Sequence, residues 1–126
     1  MSEENRRIEE WLGKFALFHH RSIAKLYRIK GRTRRVEDKE KVKWYHFPTQ
    51  VIRKDIVRGL GELYDRALSF AKDESLALRE REKWARLAAY IAQVINTIID
   101  SYDTIQIEKT LDELKQFVKT TLEEGR

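Results

Sequence analysis

The sequence predicts an all-α protein, an antiparallel four-helix bundle with a long basic connection between its first two helices. Apolar residues recur at steps of 3 and 4 in four separate segments, and only one short stretch alternates like a strand. The clearest segment is 75–102, and its apolar face is too broad for an isolated helix. That face comprises Trp84, Leu87, Ala88, Ile91, Val94, Ile95, Ile98, Ile99 and Tyr102. Four such helices, each ~30–40 Å long, can pack side by side.

Length and composition narrow the class of protein. A chain of 126 residues fits a single domain, here residues 1–126, that buries roughly two-thirds of its unfolded surface. The absence of cysteine excludes disulfides, thiolate metal sites and a cysteine nucleophile. The acidic N-terminus lacks a signal-peptide pattern and no apolar run approaches 18 residues, so we expect a cytoplasmic protein without a membrane partner. The 37% of charged residues and the single methionine favour a thermophilic source.

The first helix is predicted over residues 2–30. Ser2 can cap its N-terminus, and Gly31 is the expected stop. Gly13 lies within the helix and is predicted to mark a close crossing with another helix. The apolar stripe of this helix comprises Ile8, Leu12, Phe15, Phe18, Leu26 and Ile29, broadened by Trp11, Ile23 and Tyr27.

Residues 31–47 break the helical pattern and form the predicted connection. They begin with a basic cluster and end in the alternating VKWYHF, which is either a short extended segment or a loop. Pro48, the only proline, suits the first turn of a second helix over 48–72. Within that helix Gly59 and Gly61 are predicted to permit a near approach to another helix or a kink.

The last two helices follow short polar connections. Residues 72–75 supply capping side chains for the helix over 75–102, and Asp103 is the predicted cap of a fourth helix over 103–123, with Gln106 completing a capping box. Short connections favour antiparallel neighbours. The width of the apolar stripes leaves room for a homodimer, because Trp11, Trp84 and Phe117 are not all expected to fit inside one monomer.

Positive charge is concentrated in residues 21–58, which we call the basic end. They contain thirteen Lys and Arg against four acidic residues, a net of +9, whereas the remainder carries −4. Trp44, Tyr45, His46 and Phe47 lie within this segment. Basic side chains neutralise phosphates, and aromatic rings stack on unpaired bases for ~1–3 kcal/mol each. The alternative for Trp44 and Phe47 is a structural role, as a hydrophobic plug that covers one end of the bundle.

This distribution predicts a non-enzymatic nucleic-acid-binding protein that contacts the backbone with little sequence preference. The sequence leaves DNA and RNA both open, single strands included. Trp44 and Tyr45 are the predicted stacking residues. The predicted phosphate contacts are Arg28, Lys30, Arg32, Arg34, Arg35, Lys41, Lys43, Arg53, Lys54 and Arg58.

The alternative function is protein–protein interaction, as a scaffold subunit that forms a homodimer or binds an acidic partner. Signatures of enzymes, metals and cofactors are absent from the sequence. The histidines are His19, His20 and His46, and no two of them have the helical spacing that chelates a metal ion. None of them follows an arginine in the Arg-x4–6-His pattern of helical HEPN-type ribonucleases. His19 continues the first apolar stripe, so a satisfied, partly buried imidazole is the expectation there.

Overall fold

The computed structural model describes residues 3–33, 46–101 and 103–123, and the side chains of residues 29–33 and 46–49 fall outside that description. Every regular element in these ranges is helical. The helices are α1 (Glu3–Thr33), α2 (His46–Ala71), α3 (Leu78–Ile99) and α4 (Thr104–Val118), and a π-helical turn (Lys119–Glu123) extends α4.

The helices pack as a bundle in which each one contacts its neighbours in the chain. The α2–α3 interface is the most extensive, and α1 packs on both α2 and α4, which closes the bundle. Along the α1–α2 interface, Arg7 Nη1 lies 2.7 Å from Asp73 Oδ2, Trp11 Nε1 donates to the Leu63 carbonyl at 3.2 Å, and Lys25 Nζ lies 3.5 Å from Asp55. The predicted all-α bundle is therefore confirmed.

Aromatic rings from three helices fill one half of the core. Trp84 contacts Phe70 with ring centroids 4.7 Å apart and meets Trp11 edge to face at 5.8 Å. Both tryptophans are only 1% exposed, so the single chain does accommodate them. Phe117 is half-buried and stacks on Tyr90 at 4.2 Å. The crowding that suggested a homodimer is thus absent for Trp11 and Trp84.

Two predicted boundaries around the basic connection were displaced. α1 continues through Gly31 to Thr33, because a helical glycine costs only about 1 kcal/mol and does not by itself end a helix. α2 begins at His46, which makes Pro48 its third residue. That position still lies in the first turn, where the missing N–H of proline sacrifices no helical hydrogen bond.

The predicted helix start at Ser75 is wrong, since α3 begins at Leu78. Asp73 Oδ1 accepts from the backbone N–H and the hydroxyl of Ser75 at 2.9 and 2.7 Å, which holds the chain in a turn. Leu76 is buried against the core within this connection. The helix also ends at Ile99, short of the predicted Tyr102.

The predicted cap of the last helix is confirmed, whereas only one of Gly13, Gly59 and Gly61 lies at a close helix contact. Asp103 caps α4 as predicted, because its carboxylate accepts from the Ile105 N–H at 2.9 Å. At Gly59 a Cβ atom would meet the Phe18 ring at 2.6 Å, so this glycine does permit a close approach between α1 and α2. At Gly13 and Gly61 an added Cβ would meet nothing within 4 Å, so neither marks a close crossing.

Candidate nucleic-acid interface

The structure describes only part of the predicted interface. Arg28, Arg53, Lys54 and Arg58 have described side chains. Lys30 and Arg32 belong to α1, but their side chains lie outside the description. The remaining predicted residues lie outside the described part of the chain altogether: Arg34, Arg35, Lys41, Lys43, Trp44 and Tyr45.

Arg28 and Lys54 are exposed where α1 approaches its end and α2 begins, and Arg58 is exposed near the middle of α2. Lys54 and Arg58 are one helical turn apart and therefore share a face of α2. Arg28 is exposed on α1, one turn beyond Lys25, whose ion pair with Asp55 brings this part of α1 beside α2. The tertiary structure thus brings Arg28 and Lys54 to the same end of the bundle. Arg58 lies near mid-height, next to Gly59, which faces Phe18 of α1.

Arg53 has a different environment from these three residues. Its side chain is half-buried, and its Nη1 donates to the Ser101 carbonyl at 3.1 Å. That carbonyl lies just beyond the C-terminus of α3, where the partial negative charge of the helix favours a cation. Arg53 therefore links α2 to the end of α3.

A groove between α1 and α2 contains cations that were not among the predicted contacts. Lys14, Arg21 and Lys25 line it from α1, and their steps of 7 and 4 continue to Arg28. That spacing was the available signal in the sequence, because such residues lie on one helical face. The groove has a volume of about 670 Å³.

Acidic side chains interrupt this positive surface. The α2 side of the groove carries Asp55, Glu62 and Asp65 beside Arg66. Asp100 and Asp103 are exposed at the same end of the bundle as Arg28. The Lys25–Asp55 pair is solvent-exposed, and such a pair contributes about 0–1 kcal/mol, so a phosphate can compete for the lysine. The candidate interface on α1 and α2 is consequently mixed in charge, and the predicted contacts exposed there lie on α1 and on one face of α2.

His19 is a partly buried histidine with a partner, as expected. Its side chain is 13% exposed, and Nε2 lies 3.3 Å from Asp112 Oδ1 across the α1–α4 interface. Burial lowers the pKa of His19 below its ordinary value, with Lys115 and His20 acting in the same direction, and the hydrogen bond to Asp112 opposes this in part. The neutral imidazole is therefore favoured near pH 7.

The same described residues offer no cluster of three or more His, Asp or Glu side chains that could hold a metal ion. None of the helices, over the ranges described, has an apolar run long enough to cross a membrane. Comparison with known proteins finds no matching family model, no matching curated protein and no matching solved structure.

Proposed function

We propose that this protein is a non-enzymatic nucleic-acid-binding protein that contacts phosphates through its basic end. The observation that carries this proposal is the exposure of Arg28 and Lys54 at one end of the bundle and of Arg58 one turn further along α2, within a segment of net charge +9. DNA and RNA, including single strands, are both within its scope. A cytoplasmic location, expected from the lack of cysteine, belongs to the same proposal.

The binding mechanism follows from phosphate electrostatics. Each Lys or Arg that pairs with a phosphate releases condensed counterions, so affinity falls steeply as salt concentration rises. Contacts of this kind position a strand without reading its bases. Trp44 and Tyr45 would add stacking on unpaired bases.

The finer architecture belongs to this proposal as well. We infer an antiparallel bundle in which the long basic connection joins α1 to α2 at the binding end. Contacts along α1 and α2 support opposite chain directions, because Arg7 pairs with Asp73 near one end and Lys25 with Asp55 towards the other. Contacts of α2 with α3 follow the same pattern, with Phe70 against Trp84 and Arg53 bonded to Ser101.

A salt titration with labelled single- and double-stranded oligonucleotides tests the proposal. For a single strand, the combined variant Arg28→Ala, Lys54→Ala and Arg58→Ala is expected to weaken binding at low salt. It should also reduce the slope of log affinity against log salt by about 2, at roughly 0.7 per phosphate contact.

The matched control removes three exposed cations outside the α1–α2 groove, Arg6, Lys72 and Lys109, and changes the net charge equally. Equal effects of the two triple variants would reject a localised interface. Absence of any binding at low salt would reject nucleic-acid binding itself.

A specific observation favours the second candidate, a scaffold that forms a homodimer or binds an acidic protein. Four large apolar side chains, Tyr27, Val51, Ile99 and Ile105, are between 48% and 64% exposed. By their positions near the ends of their helices, all four belong to the same end of the bundle as Arg28. Apolar groups beside charges are typical of protein interfaces.

Light scattering and a pull-down from extract, with and without nuclease, separate the two candidates. A dimer, or an acidic partner that is retained after nuclease treatment, favours the scaffold. Loss of every partner after nuclease treatment favours nucleic-acid binding.

A further inference from the structure

A second basic groove lies on the other half of the bundle, within the part of the sequence whose net charge is negative. Arg79, Lys83 and Arg86 line it from α3, opposite Thr120 and Thr121 of the π-helical turn. Glu80 and Phe117 complete the lining, and the volume is about 730 Å³. We call this feature the α3 groove.

The three cations form one row. Steps of 4 and 3 place them on a single face of α3, and at 1.5 Å per residue the row is about 10 Å long. Nucleotides in a duplex strand follow one another at about 3.4 Å along the axis, so the row extends over roughly three nucleotide steps. The row therefore matches a polymeric polyanion in length.

The outer cations of the row are available to a ligand. The side chains of Arg79 and Arg86 are exposed, and neither side chain forms a hydrogen bond or ion pair with the residues that the structure describes. Lys83 is largely buried, and its Nζ lies 3.2 Å from Glu80 Oε1. The contact through Oε1 holds Lys83 in place, and Glu80 Oε2 is buried without a hydrogen-bond partner among the described residues. With Glu80 included, the net charge of the groove lining is +2.

The opposite wall supplies hydroxyl groups and an aromatic ring. The π-helical turn widens the backbone, and the consecutive residues Thr120 and Thr121 both line the groove. Thr120 Oγ1 donates to the Gln116 carbonyl at 3.0 Å, which leaves the Thr121 hydroxyl as a donor for a phosphate oxygen. Phe117 is held by its stacking on Tyr90.

We propose that the α3 groove binds the sugar–phosphate backbone of a single nucleic-acid strand, with Arg79 and Arg86 on separate phosphates at the two ends of the row. This inference rests on the proposed function for the class of ligand, but it concerns a separate surface. Residues 79 and 101 are at opposite ends of α3, on the order of 30 Å apart at 1.5 Å per residue. The protein thereby contacts a strand at two places, one at each end of the bundle.

The test compares the double variant Arg79→Ala, Arg86→Ala with a control of equal charge, Arg6→Ala, Lys109→Ala, at two exposed residues that line neither basic groove. The probe is a labelled, unstructured 20-nucleotide strand titrated at two salt concentrations. Loss of two phosphate contacts should lower the salt slope by about 1.4 and weaken low-salt binding beyond the control. In the wild type, the backbone amide signals of residues 79–86 and 117–121 should shift on titration.

Equal binding by the two double variants, or amide shifts confined to other residues, overturns the inference. If only the Arg28, Lys54 and Arg58 variant loses binding, the inference fails and the proposed function stands. If only the Arg79 and Arg86 variant loses binding, the groove stands and the basic end is rejected as the interface. No binding by the wild type rejects both. A polyglutamate peptide that binds as tightly, with the same dependence on Arg79 and Arg86, rejects the assignment to nucleic acid.

Discussion

The α2–α3 and α1–α4 interfaces join helices with similar apolar stripes, yet they pack differently. Between α2 and α3 the contact is the most extensive in the bundle, and Phe70 lies against the fully buried Trp84. Between α1 and α4 a groove of about 570 Å³ remains, lined in part by the small residues Gly13 and Ala16. Side-chain volume at the contact explains the difference, because small residues leave space that a neighbouring helix does not fill.

We expect the α2–α3 interface to contribute more to the free energy of unfolding than the α1–α4 interface. Burial of large rings removes much apolar surface from water, at about 25 cal/mol per Å². A half-open groove with a histidine–carboxylate contact contributes much less. Substitutions at the two interfaces should therefore differ greatly in effect.

The largest effect is expected from Trp84→Ala. Truncation of a buried tryptophan leaves a cavity among Trp11, Phe70 and their neighbours, and such changes typically cost about 3–5 kcal/mol. Chemical denaturation of the variant measures the change. Ile105→Ala is the control, since Ile105 is 64% exposed and should change stability by less than about 0.5 kcal/mol. A loss at Trp84 no larger than that of the control would contradict the assignment.

An intermediate effect is expected from Gly59→Ala, at the α1–α2 interface. The new methyl group would lie 2.6 Å from Phe18 Cδ2, and displacement of that partly buried ring should cost about 1–3 kcal/mol, less the helix propensity gained. Gly61→Ala, with no atom within 4 Å of its new methyl group, should stabilise the protein by up to about 1 kcal/mol. If the melting temperatures of Gly59→Ala and Gly61→Ala shift in the same direction, the contact of residue 59 with Phe18 does not limit stability.

The smallest effect is expected from protonation of His19, at the α1–α4 interface. Its pKa is lowered in the folded state, mainly by burial, so the unfolded chain binds the proton more readily. Stability should therefore be fully present above the unfolded pKa of about 6.5 and decline as pH falls through the folded value. Asp112, Lys115 and His20 are the charged groups that act on this imidazole.

Unfolding measured from pH 7.5 to 5.5 checks this expectation. His19→Gln should flatten the decline, whereas the exposed His20→Gln should retain most of it, because His20 has the smallest of the influences on the pKa of His19. An identical pH profile for the wild type and His19→Gln would assign the decline to other groups.

Local chemistry accounts for the features that could be predicted from the sequence alone. The apolar periodicity identified all four helices, and Asp103 was recognised as a cap because its partner, the Ile105 N–H, lies two residues away. The boundary near Ser75 was missed because the Asp73 side chain competes with a helical start. Gly31 was predicted to end α1, but the helix continues to Thr33, since glycine weakens a helix without necessarily ending it.

The candidate sites depended on which helices became neighbours. The +9 segment was visible as a count, but Asp100 and Asp103 reach the same end of the bundle only through folding. The row of Arg79, Lys83 and Arg86 had an ordinary helical spacing, and it became a groove only when the π-helical turn placed Thr120 and Thr121 opposite.

The sequence by itself determined that the described parts of the chain are helical and approximately where the four helices lie, because those properties depend on hydrogen bonds and spacing within a few residues. Only the tertiary structure decided that Trp11 and Trp84 share one core, that Gly59 and not Gly61 lies against Phe18, and that Arg53 bonds to Ser101. These outcomes involve residues about 40 to 70 positions apart in the chain, and side-chain volume and helix order select among many arrangements with the same local pattern.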